Sequence, residues 1–167
     1  GQVHIHDAGL GTYDTYVVRN GKLDPESLTF ATDQDAGILR NMIEPVMEAV
    51  REQFVRAGES VPKLKPAQVD SWLRNWSAGN MKAKHARLKL NGRVLEMQEV
   101  FEAVATKYGQ YIIQEKLSQS FREGADTILL AGGAWEYVLP TVMAHYKGRN
   151  VLHPGVVEHL NGIPIWD

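Results

Sequence analysis

The sequence predicts an α/β protein: a mixed sheet flanked by helices, with a small α+β subdomain inserted. Three observations predict it. Tyr13, Thr15 and Val17 alternate with Asp14, Tyr16 and Val18, a period-two run of good strand formers. Leu39, Met42, Ile43, Val46, Met47, Val50 and Phe54 then recur at helical spacing, with Arg40, Asn41, Glu44, Glu48 and Arg51 on the other side. Far downstream, residues 127–131 form a short apolar run of the buried parallel kind, and Gly132-Gly133 ends it.

Taken in order, a short strand from Val3 runs out at Asp7, a glycine hairpin follows, and a second strand opens at Thr12. Asn20-Gly21 is a hairpin turn, because both residues tolerate positive φ. A return strand is expected from Lys22 to about Phe30, with Pro25 at an edge or bulge. The helix beyond it carries Pro45, which predicts a kink or a split. Residues 58–97 differ in texture: a short helix is expected near 68–75 and a hairpin turning at Asn91-Gly92. Phe101, Val104, Tyr108, Ile112, Ile113, Leu117 and Phe121 mark a long amphipathic helix. After the apolar strand, 134–145 reads as a helix with Pro140 a kink, Val151-Leu152-His153 as a strand, and Pro154 as the start of a last helical turn ending near Asn161-Gly162. The organisation this implies is a core formed by 1–57 and 98–167, with 58–97 as the inserted subdomain.

Composition narrows the class. The 167 residues are 44% hydrophobic and 23% charged with net charge -2, so no global charge points to nucleic acid or a membrane. There is no cysteine, which removes disulfides and thiolate metal sites and fits a reducing, cytoplasmic setting. No apolar run reaches membrane-spanning length, and no signal peptide is seen. The chain opens directly into a strand without an initiator Met, and reads as an excised or ordered part of a longer protein.

Two glycine elements carry the chemistry. In the first, Gly9 and Gly11 lack a Cβ, so backbone N–H groups there can approach an anion and form a nest for phosphate. Asp7 stands at the strand end, in place to hold a hydrated Mg²⁺ shared with the phosphates. The second element, Gly132-Gly133, is a strand-to-helix turn, where ligands of open α/β sheets collect and where free N–H groups open a helix at Ala134. His4 and His6 share one face of a strand, but no third ligand is spaced to join them, and they read as structural. Trp72 and Trp76 lie one turn apart and read as the core of the insert.

The run Asp7 to Asp14, an Asp-x-Gly-x-Gly-Thr-x-Asp pattern, resembles the second phosphate motif of the actin, sugar kinase and heat-shock chaperone ATPase superfamily. Ile128-Leu129-Leu130-Ala131-Gly132-Gly133-Ala134-Trp135-Glu136-Tyr137 resembles its adenosine motif, and His153-Pro154 through Asn161-Gly162 is similar to the closing segment of bacterial actins. The short insert looks most like the bacterial and plasmid-segregation actins. The resemblance implies a ribonuclease-H-like sheet and the C-terminal lobe of a two-lobed protein whose N-terminal lobe carries its own phosphate loop. It implies ATP or GTP with Mg²⁺ as ligand: Asp7 holding the metal through water, Gly9, Leu10, Gly11 and Thr12 facing the phosphates, and Asp14 orienting the attacking water. Gly132, Gly133 and Ala134 would then admit the nucleoside, with Trp135 and Tyr137 flanking the base and Arg40 and Glu44 near the ribose or base.

The expected function is that of a filament-forming ATPase lobe, inactive by itself, in DNA or plasmid segregation or a cytoskeletal role. Its expected partners are the other lobe, further copies, and an adaptor or DNA-bound partner. A lobe of a non-polymerising sugar kinase or chaperone-type ATPase is one alternative, and a degenerate protein-interaction domain is another. The basic insert, with Lys63, Lys65, Arg74, Lys82, Lys84, Arg87, Lys89 and Arg93 and with Asp70 as its one acid between Lys63 and Arg93, reads as a solvated face, a filament contact or a nucleic-acid contact, in that order.

Overall fold

The computed structural model describes residues 1–26 and 32–153. The chain divides into two compact units, Gly1–Ile38 with Gly109–Asp167, and Leu39–Tyr108.

The first unit is built on strands β1 (Gln2–Ala8), β2 (Tyr13–Arg19), β3 (Lys22–Leu23), β4 (Thr32–Asp33), β7 (Thr127–Ala131) and β8 (Val151–Leu152). Their order is β3-β2-β1-β7-β8, with β4 also on β2. β1 runs antiparallel to β2 and parallel to β7, which runs parallel to β8, so the sheet is mixed, as expected. The turn into β3 is made by Asn20 at φ 50° and Gly21 at φ 75°, the left-handed pair that matches the strand twist. The expected strand from Lys22 to Phe30 is corrected: β3 stops at Leu23, and Pro25 lies in a turn. Proline has no N–H to give a ladder, and the Asp24 carboxylate accepts from the Glu26 N–H at 3.0 Å instead. Residues 27–31 lie outside the described residues, as does the final helical turn expected from Pro154.

The long helix expected around Phe101–Phe121 is three segments: α3 (Gln98–Ile112), a π-helical turn (Ile113–Leu117) and α4 (Ser118–Arg122). The helix after the glycine pair, α5 (Trp135–His145), continues through Pro140. Gly109 lets α3 approach α5, since a Cβ there would lie 3.1 Å from Thr141. On one sheet face His4, His6, Ala8, Tyr13, Ile128 and Leu130 are buried, as are Leu117, Trp135, Tyr137, Val138 and Val142 of the helices, while Thr15 and Val17 toward the edge are half-buried.

The two histidines in this core form a hydrogen-bonded relay. The Gln2 side-chain amide contacts His4 Nε2 at 2.9 Å, and His4 Nδ1 meets Ser120 Oγ at 2.7 Å. Ser120 Oγ meets His6 Nε2 at 2.6 Å, and His6 Nδ1 meets the Tyr13 hydroxyl at 2.7 Å. One assignment satisfies every atom: the Gln2 amide donates to His4 Nε2, His4 Nδ1–H to Ser120, Ser120 to His6 Nε2, and His6 Nδ1–H to Tyr13. Both rings are then neutral. Burial pushes the proton affinity of His6 down to about 3, with His4 and Lys116 adding to it. His4 is lowered too, chiefly by burial.

The second unit begins with a π-helical turn (Leu39–Ile43) that leads into α1 (Glu44–Arg56). Pro45 falls in the first turn of α1, where its missing N–H costs nothing, so the irregularity it demands is placed at the helix start. α2 spans Pro66–Ala78, longer than the expected 68–75, and likewise carries its proline in the first turn. The hairpin β5 (Arg87–Leu90) and β6 (Arg93–Glu96) turns at Asn91 and Gly92, at φ 48° and 77°. Val46, Val50, Phe54, Val69, Leu73, Trp76, Leu95, Met97 and Phe101 are the core of this unit. The Trp76 indole N–H donates to Gln98 Oε1 at 2.8 Å, and its ring sits edge-on to Phe101. Trp72 departs from the expected shared core: it is only half-buried.

Candidate functional site

Both glycine turns leave the same edge of the sheet. β1 and β7 are parallel neighbours with Asp7 opposite Ala131, so residues 9–12 and 132–134 emerge side by side at the carboxyl ends of two adjacent strands. The register follows from the apolar run of β7 pairing with β1, and the carboxyl edge is where open α/β sheets collect ligands.

Gly132 holds φ +88°, and a Cβ there would collide with Asp7 Oδ1 and lie 2.6 Å from the Ala8 carbonyl oxygen. Only glycine allows the second turn to lie this close to Asp7. Its position is locked further by Ala134 N–H donating to Ala8 O at 3.2 Å. The first turn is closed by Gly9 N–H donating to Thr12 O at 3.0 Å, and is tied from outside by Ile38 N–H donating to Gly9 O at 3.1 Å.

Gly37 was not singled out from the sequence, yet it packs directly on this turn. A Cβ on Gly37 would lie 2.7 Å from Gly11 C and Leu10 O and 2.8 Å from Thr12 N. All three are backbone atoms that cannot yield, so Gly37 is a floor for the loop. No local signal marks it, because the need arises from a tertiary approach.

The inventory of N–H groups differs from the expectation. Gly9 and Ala134 spend theirs on the protein. Among the described residues, the N–H groups of Leu10, Gly11, Thr12 and Gly133 have no backbone partner, and a Cβ added to Gly11 or Gly133 would meet nothing within 4 Å. Leu10 is 53% exposed. The open donors are therefore the loop tip and the glycine pair, since Gly132 N–H likewise has no backbone partner among the described residues. The Thr12 hydroxyl donates to Asp14 Oδ2 at 3.1 Å.

Asp7 and Asp14 are opposite each other across β1 and β2, so both carboxylates rise on one sheet face. Burial raises the proton affinity of Asp7, and the charge of Asp14 raises it further. Two facing carboxylates are a donor set for a hard cation. Among the described residues no group of three or more His, Asp or Glu side chains could hold a metal ion. A cation here would complete its shell with water and phosphate oxygens, as Mg²⁺ does, and the residues fit that arrangement.

Trp135 and Tyr137 correct the expectation that their rings flank a base. Trp135 is 0% and Tyr137 1% exposed. The Trp135 indole N–H donates to Ala131 O at 2.5 Å and is 3.3 Å from His6 O, with its ring edge-on to Tyr13 at 6.0 Å. These rings fill the core under the turn. Arg40 and Glu44 belong to the other unit, in the π-helical turn and the first turn of α1.

The chain has an actin-like fold, a mixed sheet flanked by helices, as its likeness to solved structures shows. Among solved structures, the chain is similar to Bacillus thuringiensis ParM in apo form, with TM-score 0.72 at 14% identity, over 95% of this chain and 40% of that one. It is also similar to Bacillus thuringiensis ParM with ATP, with TM-score 0.71 at 15% identity over 95% and 42%. Ta0583, an archaeal actin homolog, gives TM-score 0.61 at 12% identity over 92% and 42%. The chain thus spans about two fifths of the length of these proteins. No family model and no curated protein matches the sequence. Among the described residues no helix is long and apolar enough to cross a membrane.

Proposed function

We propose that the chain is the C-terminal lobe of a two-lobed, actin-like ATPase that binds ATP or GTP with Mg²⁺. The adjacency of the two glycine turns at the carboxyl ends of β1 and β7 is the observation that carries this reading. In it, the N–H groups of Leu10, Gly11 and Thr12 meet the β- and γ-phosphates, and Asp7 holds the cation through water. Asp14 would accept a hydrogen bond from the attacking water and so orient it, while Gly132 and Gly133 let the nucleoside approach the backbone. Phosphoryl transfer asks mainly for positioning and charge neutralisation, which such a set supplies. A half-site gives weak binding and negligible turnover by itself. Solved structures of Bacillus thuringiensis ParM hold ADP, ATP and AMPPNP, which supports a nucleotide as ligand for this fold. Assembly into filaments with an adaptor, in DNA or plasmid segregation or a cytoskeletal role, is part of the same proposal, as is a cytoplasmic location. The division of the chain into a core and an inserted subdomain near 58–97 belongs with it.

Calorimetry with ATP, with and without Mg²⁺, tests the site. Mg²⁺ is expected to strengthen binding, EDTA to remove the gain, and Asp7→Asn to cut the Mg²⁺-dependent affinity about tenfold or more. Affinity unchanged by both EDTA and Asp7→Asn removes Asp7 from the metal role.

A further inference from the structure

The second unit presents a cationic surface that the nucleotide reading leaves unused. Between Ser71 and Leu95 there is no Asp or Glu, but there are six basic residues: Arg74, Lys82, Lys84, Arg87, Lys89 and Arg93. The arginines are paired, Arg74 with Asp70 at 2.9 Å, Arg87 with Glu96 at 2.7 Å and Arg93 with Glu59 at 2.9 Å. Lys82, Lys84 and Lys89 are exposed and have no ion-pair partner among the described residues. Leu88 is buried between Arg87 and Lys89, so the alternation of β5 sends both cations to its outer face.

A groove of about 560 Å³ lies beside this surface, lined by Trp72, Asn75, Lys84, His85, Arg87 and Leu88. The two tryptophans of α2 differ in a telling way. Trp76 is buried, bonded through its N–H and stacked edge-on against Phe101. Trp72 is half-buried, lines the groove, and has neither a hydrogen bond nor a ring partner among the described residues. His85 is seated against Gly79, whose missing side chain is what makes room for the ring. An indole face with no partner, an amide from Asn75 and the unpaired ammonium of Lys84 thus line one open channel, and Lys82 and Lys89 are exposed close to Lys84 in sequence.

We infer that this groove binds single-stranded nucleic acid, with a base stacked on Trp72 and the flanking phosphates held by Lys84, Lys82 and Lys89. An acidic peptide would satisfy the lysines but leave the indole face bare. A duplex would satisfy the lysines but keep its bases stacked within itself. A single strand supplies both a repeated anion and free aromatic faces, and base–aromatic stacking accepts any sequence.

Fluorescence anisotropy of the full chain with a labelled oligothymidylate of about fifteen residues is the test. Binding is expected at about 50 mM salt and should weaken as salt rises, with log K falling against log salt at a slope of about −2 for three phosphate contacts. Trp72→Ala should weaken binding about tenfold while Trp72→Phe retains it, and the double change Lys82→Glu with Lys84→Glu should abolish it. Thermal melts of the same variants confirm that they are folded. Absence of binding at about 50 mM salt, equal affinity for Trp72→Ala, equal affinity for a duplex, or equal displacement by polyglutamate each overturns the inference.

Discussion

Replacing Trp135 with alanine is expected to destabilise the first unit by about 3–5 kcal/mol, the range for truncating a large aromatic in a packed core. The ring is 0% exposed and sits edge-on to Tyr13, and its N–H is bonded to Ala131 O. For a chain of this length that is a fall in melting temperature of roughly 6–20 °C. Trp135→Phe keeps most of the buried area but leaves the Ala131 carbonyl short of a donor, and should cost about 1–3 kcal/mol. The comparison separates two roles. A ring supporting the turn from below lowers stability when removed. A ring forming a shelf for a base would lower nucleotide affinity and leave the melting temperature alone, and that outcome would contradict the core assignment.

Mild acid is the second large effect. His6 is 1% exposed and is held down to about 3 by burial, against an ordinary value of 6.5. The unfolded chain takes up its proton as pH falls through 6.5, whereas the folded chain does so only near 3. Stability is therefore full above pH 6.5 and drains between those two values, by about 2 kcal/mol at pH 5. His4, also lowered, acts in the same direction. Asp7 acts oppositely, since its raised proton affinity favours the folded state as pH drops. Asp33, lowered chiefly by the hydrogen bond from Lys116, loses its contribution only below the ordinary carboxylate range. Urea unfolding at pH 8, 6 and 5 should show this loss, and His6→Phe, though less stable, should show a flatter profile. A wild-type profile flat from pH 8 to 5 contradicts the neutral relay.

What was legible in the sequence was what local chemistry dictates. Asn20-Gly21 and Asn91-Gly92 name their turns because few other residues accept positive φ. The apolar run of β7 with Gly132 after it names a buried parallel strand and a tight exit. The edge shared by the two turns followed from those signals. What was not legible depends on facing and on distance along the chain. The two-residue spacing of His4 and His6 gives a common face, but not Ser120, 116 residues from His4, that links them. Trp135 lies just after the glycine pair, and sequence position does not tell that its ring turns inward. The strand expected through Pro25 failed because proline removes a ladder donor, and Asp24 offered a turn instead. Gly37 matters only because Leu10, Gly11 and Thr12 fold back upon it.

The most direct test of the proposed nucleotide site is amide NMR of the isotope-labelled chain titrated with Mg²⁺ and ATP, since it detects weak binding residue by residue. The expected result is that the amides of Leu10, Gly11 and Thr12 move together with those of Gly132 and Gly133, along one binding curve. Movement at one turn alone, or at neither, would contradict a single ligand held between them.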